Sequence, residues 1–131
     1  MIVVDTSAII AILQDEPEKD AFKAAIENDD HAIISAVTAL EAGVVMRARH
    51  GEDGLRGLLA FFEAADIEVA VFDESQAQAA VEAYGRYGKG LNPNARLNLG
   101  DCAAYALASS FNVALLFKGG DFRATDIQSA L

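Results

Sequence analysis

The chain has 131 residues, of which 53% are hydrophobic, and its formal net charge is −10 at pH 7. This hydrophobic content excludes intrinsic disorder, and the absence of about 20 consecutive apolar residues excludes a membrane-spanning helix. The apolar start is interrupted by Asp5 and lacks a basic region, so we expect no signal peptide, a cytosolic location and one domain over residues 1–131.

Short apolar runs alternate with longer segments of helical period along the chain. The runs cover residues 2–4, 32–34, 68–72 and 113–117, and each is too short for a helix. Helices are predicted over residues 7–13, 18–28, 36–50, 52–65, 74–84 and 100–110. This alternation predicts an α/β fold in which a central parallel sheet is covered by helices on both faces.

Small and polar residues mark the boundaries between these elements. Ser35 predicts the N-cap of the helix that starts at Ala36, and Gly51 predicts the end of that helix. The segment GRYGKGLNPNARLNLG, residues 85–100, contains four glycines, three asparagines and a proline. Such a composition favours a loop over either regular structure.

Two acidic residues follow predicted strands directly. Asp5 ends the first apolar run, and Asp121 lies in KGGD just after the last one. Ligands of an open parallel sheet bind at the carboxyl ends of its strands, so we expect both side chains to lie at that edge.

Glu41 lies among apolar residues at helical spacing, in the segment AVTALEAGVVMRARH. Val37, Leu40, Val44 and Val45 are adjacent to it or three to four positions away, so Glu41 interrupts the stripe that is predicted to face the sheet. An unpaired buried carboxylate is strongly destabilising, and Glu41 therefore needs a cation or a proton. A position at the exposed edge of the stripe is the alternative interpretation.

Asp101 opens a predicted helix of small residues, CAAYALA. Each acid alone has an ordinary explanation, because Asp101 can stabilise a helix start, Asp5 can cap the next helix and Asp121 can form a turn. Convergence of the four acids would produce strong repulsion unless cations are bound. Hard divalent cations such as Mg²⁺ prefer carboxylate oxygens, so the pattern indicates a phosphoryl-transfer site.

Several other reactive side chains have simpler explanations. Asp73 precedes Glu74-Ser75-Gln76 in the pattern of a helix start, which favours a capping role. Cys102 cannot form an internal disulfide because it is the only cysteine, and it is expected to be a small buried residue. His31 and His50 are interpreted as surface or capping residues.

Four segments in the same order resemble the PIN-domain ribonucleases of the VapC toxin family. They are DTSAIIAIL, ISAVTALEAGVV, LNLGDCAAYALA and LLFKGGDF, with TDI after the last, and together they extend from Asp5 to Ile127. The resemblance implies a PIN-like sheet of four or five parallel strands and an endoribonuclease that depends on Mg²⁺ or Mn²⁺. It also implies a homodimer and inhibition by a VapB-type antitoxin.

The resemblance assigns catalytic and metal-binding roles to the four acids, Asp5, Glu41, Asp101 and Asp121. It assigns supporting roles to small or polar residues beside them, Thr6, Ser7, Asn98 and Gly100.

Charge distribution indicates how the two expected partners bind. Sixteen of the 20 acidic residues lie before Ser75, which suits an antitoxin with a basic C-terminal segment. Single-stranded RNA is expected along the basic residues of the second half. These are Arg86, Lys89, Arg96, Lys118 and Arg123.

Two other classes of function compete with a nuclease. A phosphoacceptor switch domain would use Asp5, Asp73 and Lys118 at strand ends, but it leaves Glu41 and Asp121 unexplained. The other class is a non-catalytic PIN-like module that only binds a partner.

Overall fold

A computed structural model describes all 131 residues, and its centre is a sheet of four short parallel strands. The strand order is β3-β2-β1-β4, so β1 is flanked on both sides. In register, Val3 of β1 pairs with Ile33 of β2 and with Leu115 of β4. The strands are β1 (Ile2–Val4), β2 (Ala32–Ser35), β3 (Glu68–Ala70) and β4 (Ala114–Leu116).

Five helices connect and cover these strands, which confirms the predicted α/β fold. They are α1 (Thr6–Leu13), α2 (Lys19–Glu27), α3 (Ala36–Ala64), α4 (Glu74–Tyr87) and α5 (Leu99–Phe111). The two helices predicted on either side of Gly51 form one element with a break, because Gly51 has φ 66° and ψ −153°. Glycine adopts this conformation without the steric strain that a Cβ would introduce.

Alternating side chains of the strands fill two separate hydrophobic clusters. Ile2 and Val4 point to one face of the sheet, where they pack with α1, α2 and α3. Val3 and Leu115 point to the opposite face, where they pack with α5. Burying an aliphatic side chain stabilises the fold by about 1.5 to 3 kcal/mol, so β1 is held rigidly between two helical layers. The residue that follows β1 is therefore fixed in position.

The last residues of the chain pair with the edge of the sheet. The Leu115 N–H donates to the Gln128 carbonyl at 2.9 Å, and the Ala130 N–H donates to the Leu115 carbonyl at 2.9 Å. These bonds form a single parallel bridge between Leu115 and Ser129 beside β4, and the sheet itself has four strands, within the expected four to five.

The prediction that the apolar residues around Glu41 form a stripe facing the sheet is wrong. Leu40 and Val44 are 65% and 59% exposed, whereas Thr38, Ala42 and Met46 form the buried side of α3. Ala42 and Met46 pack in the hydrophobic cluster that contains Ile9 and Ile12 of α1, so the side of α3 that faces the core is turned away from Leu40 and Val44.

Some predicted boundaries also differ from the structure. The third and fourth strands are shorter than predicted, and α4 continues through Gly85 to Tyr87 instead of ending at Tyr84. The loop accordingly begins at Gly88, three residues later than expected. None of the five helices has the length and apolar character that crossing a bilayer requires.

Candidate active site

Asp5 lies at the carboxyl end of β1, where it caps the first turn of α1. Its side chain is 3% exposed, and its Oδ2 atom accepts hydrogen bonds from the Ser7 N–H at 3.0 Å and the Ser7 hydroxyl at 2.6 Å. The Ser7 hydroxyl oxygen in turn accepts from the Lys118 N–H at 2.9 Å. Ser7 therefore ties the Asp5 carboxylate to the end of β4.

The second oxygen of Asp5, Oδ1, is buried and has no hydrogen-bond partner. A buried acceptor without a donor is destabilising, and an ionised one is more so. Burial raises the pKa of Asp5 above its ordinary value; the hydrogen bonds from Ser7 oppose this shift, and the charge of Glu41 adds to it. An Oδ1 atom in this state is suited to accept a cation.

Glu41 projects from α3 into the same site and is held by residues from two other helices. The Thr6 hydroxyl donates to Glu41 Oε1 at 2.5 Å. On its other side, a Cβ atom built on Gly100 would lie 2.6 Å from Glu41 Oε2. No side chain fits in that space, so glycine at position 100 is what lets the start of α5 contact the Glu41 carboxylate.

Asp101 enters the site from the first turn of α5. The Asn98 N–H donates to Asp101 Oδ2 at 3.0 Å, and the Asp101 N–H donates to Asn98 Oδ1 at 2.9 Å, which forms a reciprocal capping box. Burial raises the pKa of Asp101 to about 7, although the Asn98 hydrogen bond opposes the shift. The negative charges of Asp5, Asp121 and Glu41 raise the pKa of Asp101 further. These three acids therefore lie close enough to Asp101 to repel its charge.

The four predicted acids do not contribute equally to the cleft between these elements. Asp5, Glu41 and Asp101 line a cleft of about 480 Å³, whereas Asp121 is exposed on the turn after β4 and does not line it. Asp121 is still near enough to raise the pKa of Asp101. The sequence predicts convergence of the four acids, and the structure places three of them in the lining and one outside it.

The chemistry of this donor set fits a hard divalent cation. No three ligand side chains are close enough to surround an ion on their own. Mg²⁺ is commonly bound by only one or two carboxylates and keeps several water molecules, so a complete protein cage is not required. The Asp5 Oδ1 atom and the Asp101 carboxylate are oxygen ligands of the required kind.

Of the basic residues predicted to bind RNA, only Lys118 lines the cleft, and it pairs with Glu16 and with Glu18. Arg86 lies 3.7 Å from Asp126 and its guanidinium lies over the Tyr87 ring. The remaining three, Lys89, Arg96 and Arg123, are exposed.

The residues that were expected to have capping, core or surface roles have those roles in the structure. Asp73 Oδ1 accepts from the Gln76 N–H at 3.0 Å as the N-cap of α4, and it does not line the cleft, which argues against the phosphoacceptor alternative. Cys102 is 2% exposed. His31 contacts Glu68 and His50 contacts Gln14 at the surface.

Arg49 also lines the cleft, and the sequence analysis missed it. The available signal was its spacing, because Glu41, Val45 and Arg49 are four residues apart and thus share one face of α3. All three line the cleft.

Fold and site together define a parallel α/β domain with an acidic cleft at the carboxyl ends of its strands. The profile of the PIN domain family matches residues 2–128. A VapC ribonuclease of Mycobacterium bovis is 45% identical over 125 residues, which is 95% of either chain. A VapC ribonuclease of Mycolicibacterium smegmatis is 44% identical over 95% of this chain and 96% of its own. The chain therefore belongs to the PIN-domain family and, within it, to the VapC ribonucleases.

Solved structures share the fold at low sequence identity. The VapC20 toxin of Mycobacterium tuberculosis, described as cleaving the sarcin-ricin loop, superposes with a TM-score of 0.78 at 17% identity, over 97% of this chain and 96% of its own. The VapBC2 complex of Rickettsia felis, bound to a promoter DNA fragment, gives a TM-score of 0.74 at 16% identity over 98% and 96% of the chains.

Proposed function

We propose that this chain is the endoribonuclease toxin of a toxin-antitoxin pair and hydrolyses RNA phosphodiester bonds with Mg²⁺ or Mn²⁺ in the cytoplasm. The observation that carries the proposal is the buried Asp5 Oδ1 atom without a donor, beside the charges of Glu41 and Asp101. Family membership and the ribonuclease names of the relatives support it. The single domain over residues 1–131 carries the whole site.

In the proposed site, Asp5 and Asp101 would hold the divalent ion, and Glu41 and Asp121 would be the further carboxylates that act on it. A bound divalent ion supplies an activated water and stabilises negative charge on the phosphodiester oxygens. The protein contributes the fixed positions of these carboxylates, since β1 is buried on both faces and Gly100 and Asp101 at the start of α5 are buried. Because the carboxylates are already in position, they do not have to rearrange during the reaction.

Three neighbours each fix the orientation of one carboxylate, and a fourth leaves the space that one of these carboxylates needs. Ser7 holds Asp5, Thr6 holds Glu41 and Asn98 holds Asp101 through the hydrogen bonds given above. Gly100 allows α5 to approach Glu41. These residues do not contact the reacting atoms in this proposal; they are positioning residues.

The RNA is proposed to be single-stranded and to approach along the basic residues of the second half of the chain. Exposed lysine and arginine side chains neutralise phosphates and favour association with a flexible strand. The proposed path comprises Arg86, Lys89, Arg96, Lys118 and Arg123.

The proposed inhibitor is a VapB-type antitoxin with a basic C-terminal segment. A guanidinium binds a carboxylate through two parallel hydrogen bonds, so an arginine of that segment would occupy the acidic cleft and exclude both ion and RNA. The structure of a toxin-antitoxin complex from Klebsiella pneumoniae, with a TM-score of 0.72, supports a partner of this type.

A homodimer is also proposed. Val71, Val81 and Leu99 are 79%, 72% and 84% exposed, and the last two border an apolar groove of about 420 Å³ between α4 and α5. Large exposed apolar surfaces of this kind are typical of association sites.

Cleavage of a defined single-stranded RNA tests the proposed activity. Purified protein is incubated with Mg²⁺ or Mn²⁺, and the matched reactions contain EDTA or the Asp101→Asn variant. We expect internal cleavage that EDTA abolishes and that Asp101→Asn reduces at least about a hundredfold, as for the loss of a group that stabilises the transition state. Asp73→Asn is the control for a capping acid outside the cleft. Cleavage that survives both EDTA and Asp101→Asn would contradict the proposal.

A further inference from the structure

The acidic cleft has two cationic residues in its lining, Arg49 and Lys118. RNA is a polyanion, and a cleft lined by four carboxylates, those of Asp5, Glu16, Glu41 and Asp101, repels it unless cations face the phosphates. The two cations differ in their surroundings. Lys118 is bound to Glu16 and Glu18 from the segment between α1 and α2, whereas no carboxylate lies within 4 Å of the Arg49 guanidinium.

The neighbouring acids of α3 are paired elsewhere, which explains why Arg49 is free. Arg47 pairs with Glu52 at 2.6 Å, and Arg56 pairs with Asp53 at 2.5 Å. The break at Gly51 ends the first helical part of α3, and Glu16, a further acid of the cleft lining, is bound to Lys118. An exposed guanidinium with five N–H donors is thus directed to the cleft without a partner in the protein.

Helix geometry places Arg49 beside the reaction centre and not within it. Eight residues separate Glu41 from Arg49 on the same face of α3, which corresponds to a rise of about 12 Å along the helix. The backbone of Arg49 thus lies about two helical turns from that of Glu41, and its side chain can reach the next phosphates of a strand that crosses the cleft. A guanidinium matches the geometry of two phosphate oxygens.

We propose that Arg49 binds a backbone phosphate of the RNA that flanks the bond to be cut, and thereby positions the strand over the acidic cleft. This inference rests on the proposed ribonuclease function. It assigns a binding role to a residue outside the basic residues of the second half of the chain. Lys118, restrained by two acids, contributes less to binding than the free Arg49.

Fluorescence anisotropy with a labelled single-stranded RNA tests this role in the Asp101→Asn background, where the RNA is not cut. We expect Arg49→Gln to weaken binding about threefold to tenfold and to reduce the slope of log affinity against log salt by about 0.7, the change for one lost phosphate contact on a single strand. Arg47→Gln is the matched control on the same helix, since Arg47 is outside the cleft lining, and it should bind within about twofold of the background. Arg49→Lys should restore the salt slope, because a lysine keeps the charge.

A merely structural role for Arg49, such as a favourable interaction with the end of the helix, gives a different result. In that case Arg49→Gln would lower the melting temperature and leave the salt slope unchanged. Equal effects of Arg49→Gln and Arg47→Gln would also overturn the inference.

Cleavage kinetics separate this inference from the proposed function. If the wild-type protein cuts RNA in a metal-dependent manner, Arg49→Gln should raise KM and change kcat little, because a flanking phosphate is bound equally in the ground and transition states. An unchanged KM would refute the role of Arg49 while the ribonuclease function stands. RNA binding that depends on Arg49 without any cleavage by the wild type would refute the function and support the role of Arg49.

Discussion

Replacing Asp101 with asparagine should stabilise the protein when no divalent ion is present. Burial and the other three acids raise the pKa of Asp101 to about 7 in the folded protein, against an ordinary value of 3.8. A raised carboxyl pKa means that the folded state binds the proton more tightly than the unfolded state. The contribution of Asp101 to the free energy of unfolding is therefore fully present below about pH 4, and it is lost as the pH rises through about 7.

The size of the effect follows from this shift. A difference of about three pKa units corresponds to roughly 4 kcal/mol of lost stability at pH 8. Asparagine removes the charge but accepts a weaker hydrogen bond from the Asn98 N–H, which offsets about 1 kcal/mol. The variant should thus be more stable than wild type by on the order of 3 kcal/mol at pH 8, which is about 10 °C in Tm for a chain of this size.

Thermal unfolding followed by circular dichroism in EDTA, at pH 4 and at pH 8, measures the difference. We expect Asp101→Asn and wild type to unfold at similar temperatures at pH 4 and to diverge at pH 8. Mg²⁺ or Mn²⁺ should raise the Tm of wild type at pH 8 and change that of the variant much less. Asp73→Asn keeps its capping hydrogen bond and serves as the control, with no change in pH dependence. Equal stability of Asp101→Asn and wild type at pH 8 in EDTA would refute the claim that burial and neighbouring acids make the ionised Asp101 carboxylate destabilising.

Three further substitutions test the positioning residues and the proposed dimer. Gly100→Ala forces the Glu41 carboxylate to move, so we expect at least about a tenfold loss of RNA cleavage, whereas Gly57→Ala, with open space around it, should cleave normally. Thr6→Val removes the donor to Glu41 and should lower kcat/KM about tenfold, with recovery in Thr6→Ser; equal rates in both would contradict the role of the hydroxyl. Val81→Glu should shift the protein from dimer to monomer in light scattering, and an unchanged mass would reject this surface.

The parallel sheet was predictable because buried strands have a simple signature. Ile2, Val3 and Val4 are apolar without alternation, as expected for a strand covered on both faces, and the structure buries all three. Because ligands of an open parallel sheet bind at the carboxyl ends of its strands, the position of Asp5 directly after the first strand predicts its location at that edge. Capping by Asp73 and Ser35 was predictable for a similar reason, since each depends only on residues nearby in sequence.

The buried side of α3 was not predictable from hydrophobicity. The spacing of Leu40 and Val44 is that of core residues, but the side of α3 with Thr38, Ala42 and Met46 is the one that is buried. Helix packing of this kind depends on the tertiary arrangement, which periodicity in one segment does not contain.

Details of the site also depend on contacts between distant segments. The hydrogen bond from Thr6 to Glu41 and the contact of Glu41 with Gly100 join residues from three helices. The pairing of Lys118 with Glu16 and Glu18, which leaves Arg49 as the free cation of the cleft, was likewise absent from the sequence pattern. Such contacts exist only after the chain has folded.

The central claim is that Asp5 and Asp101 hold a divalent ion with which the protein cuts RNA. The most direct measurement is the rate of internal RNA cleavage as a function of Mn²⁺ concentration, with the product ends mapped, for wild type and Asp5→Asn. We predict saturable activation of wild type by Mn²⁺ and cleavage by Asp5→Asn at least about a hundredfold slower at every concentration. Cleavage by Asp5→Asn at the wild-type rate, with the same dependence on Mn²⁺, would contradict the claim.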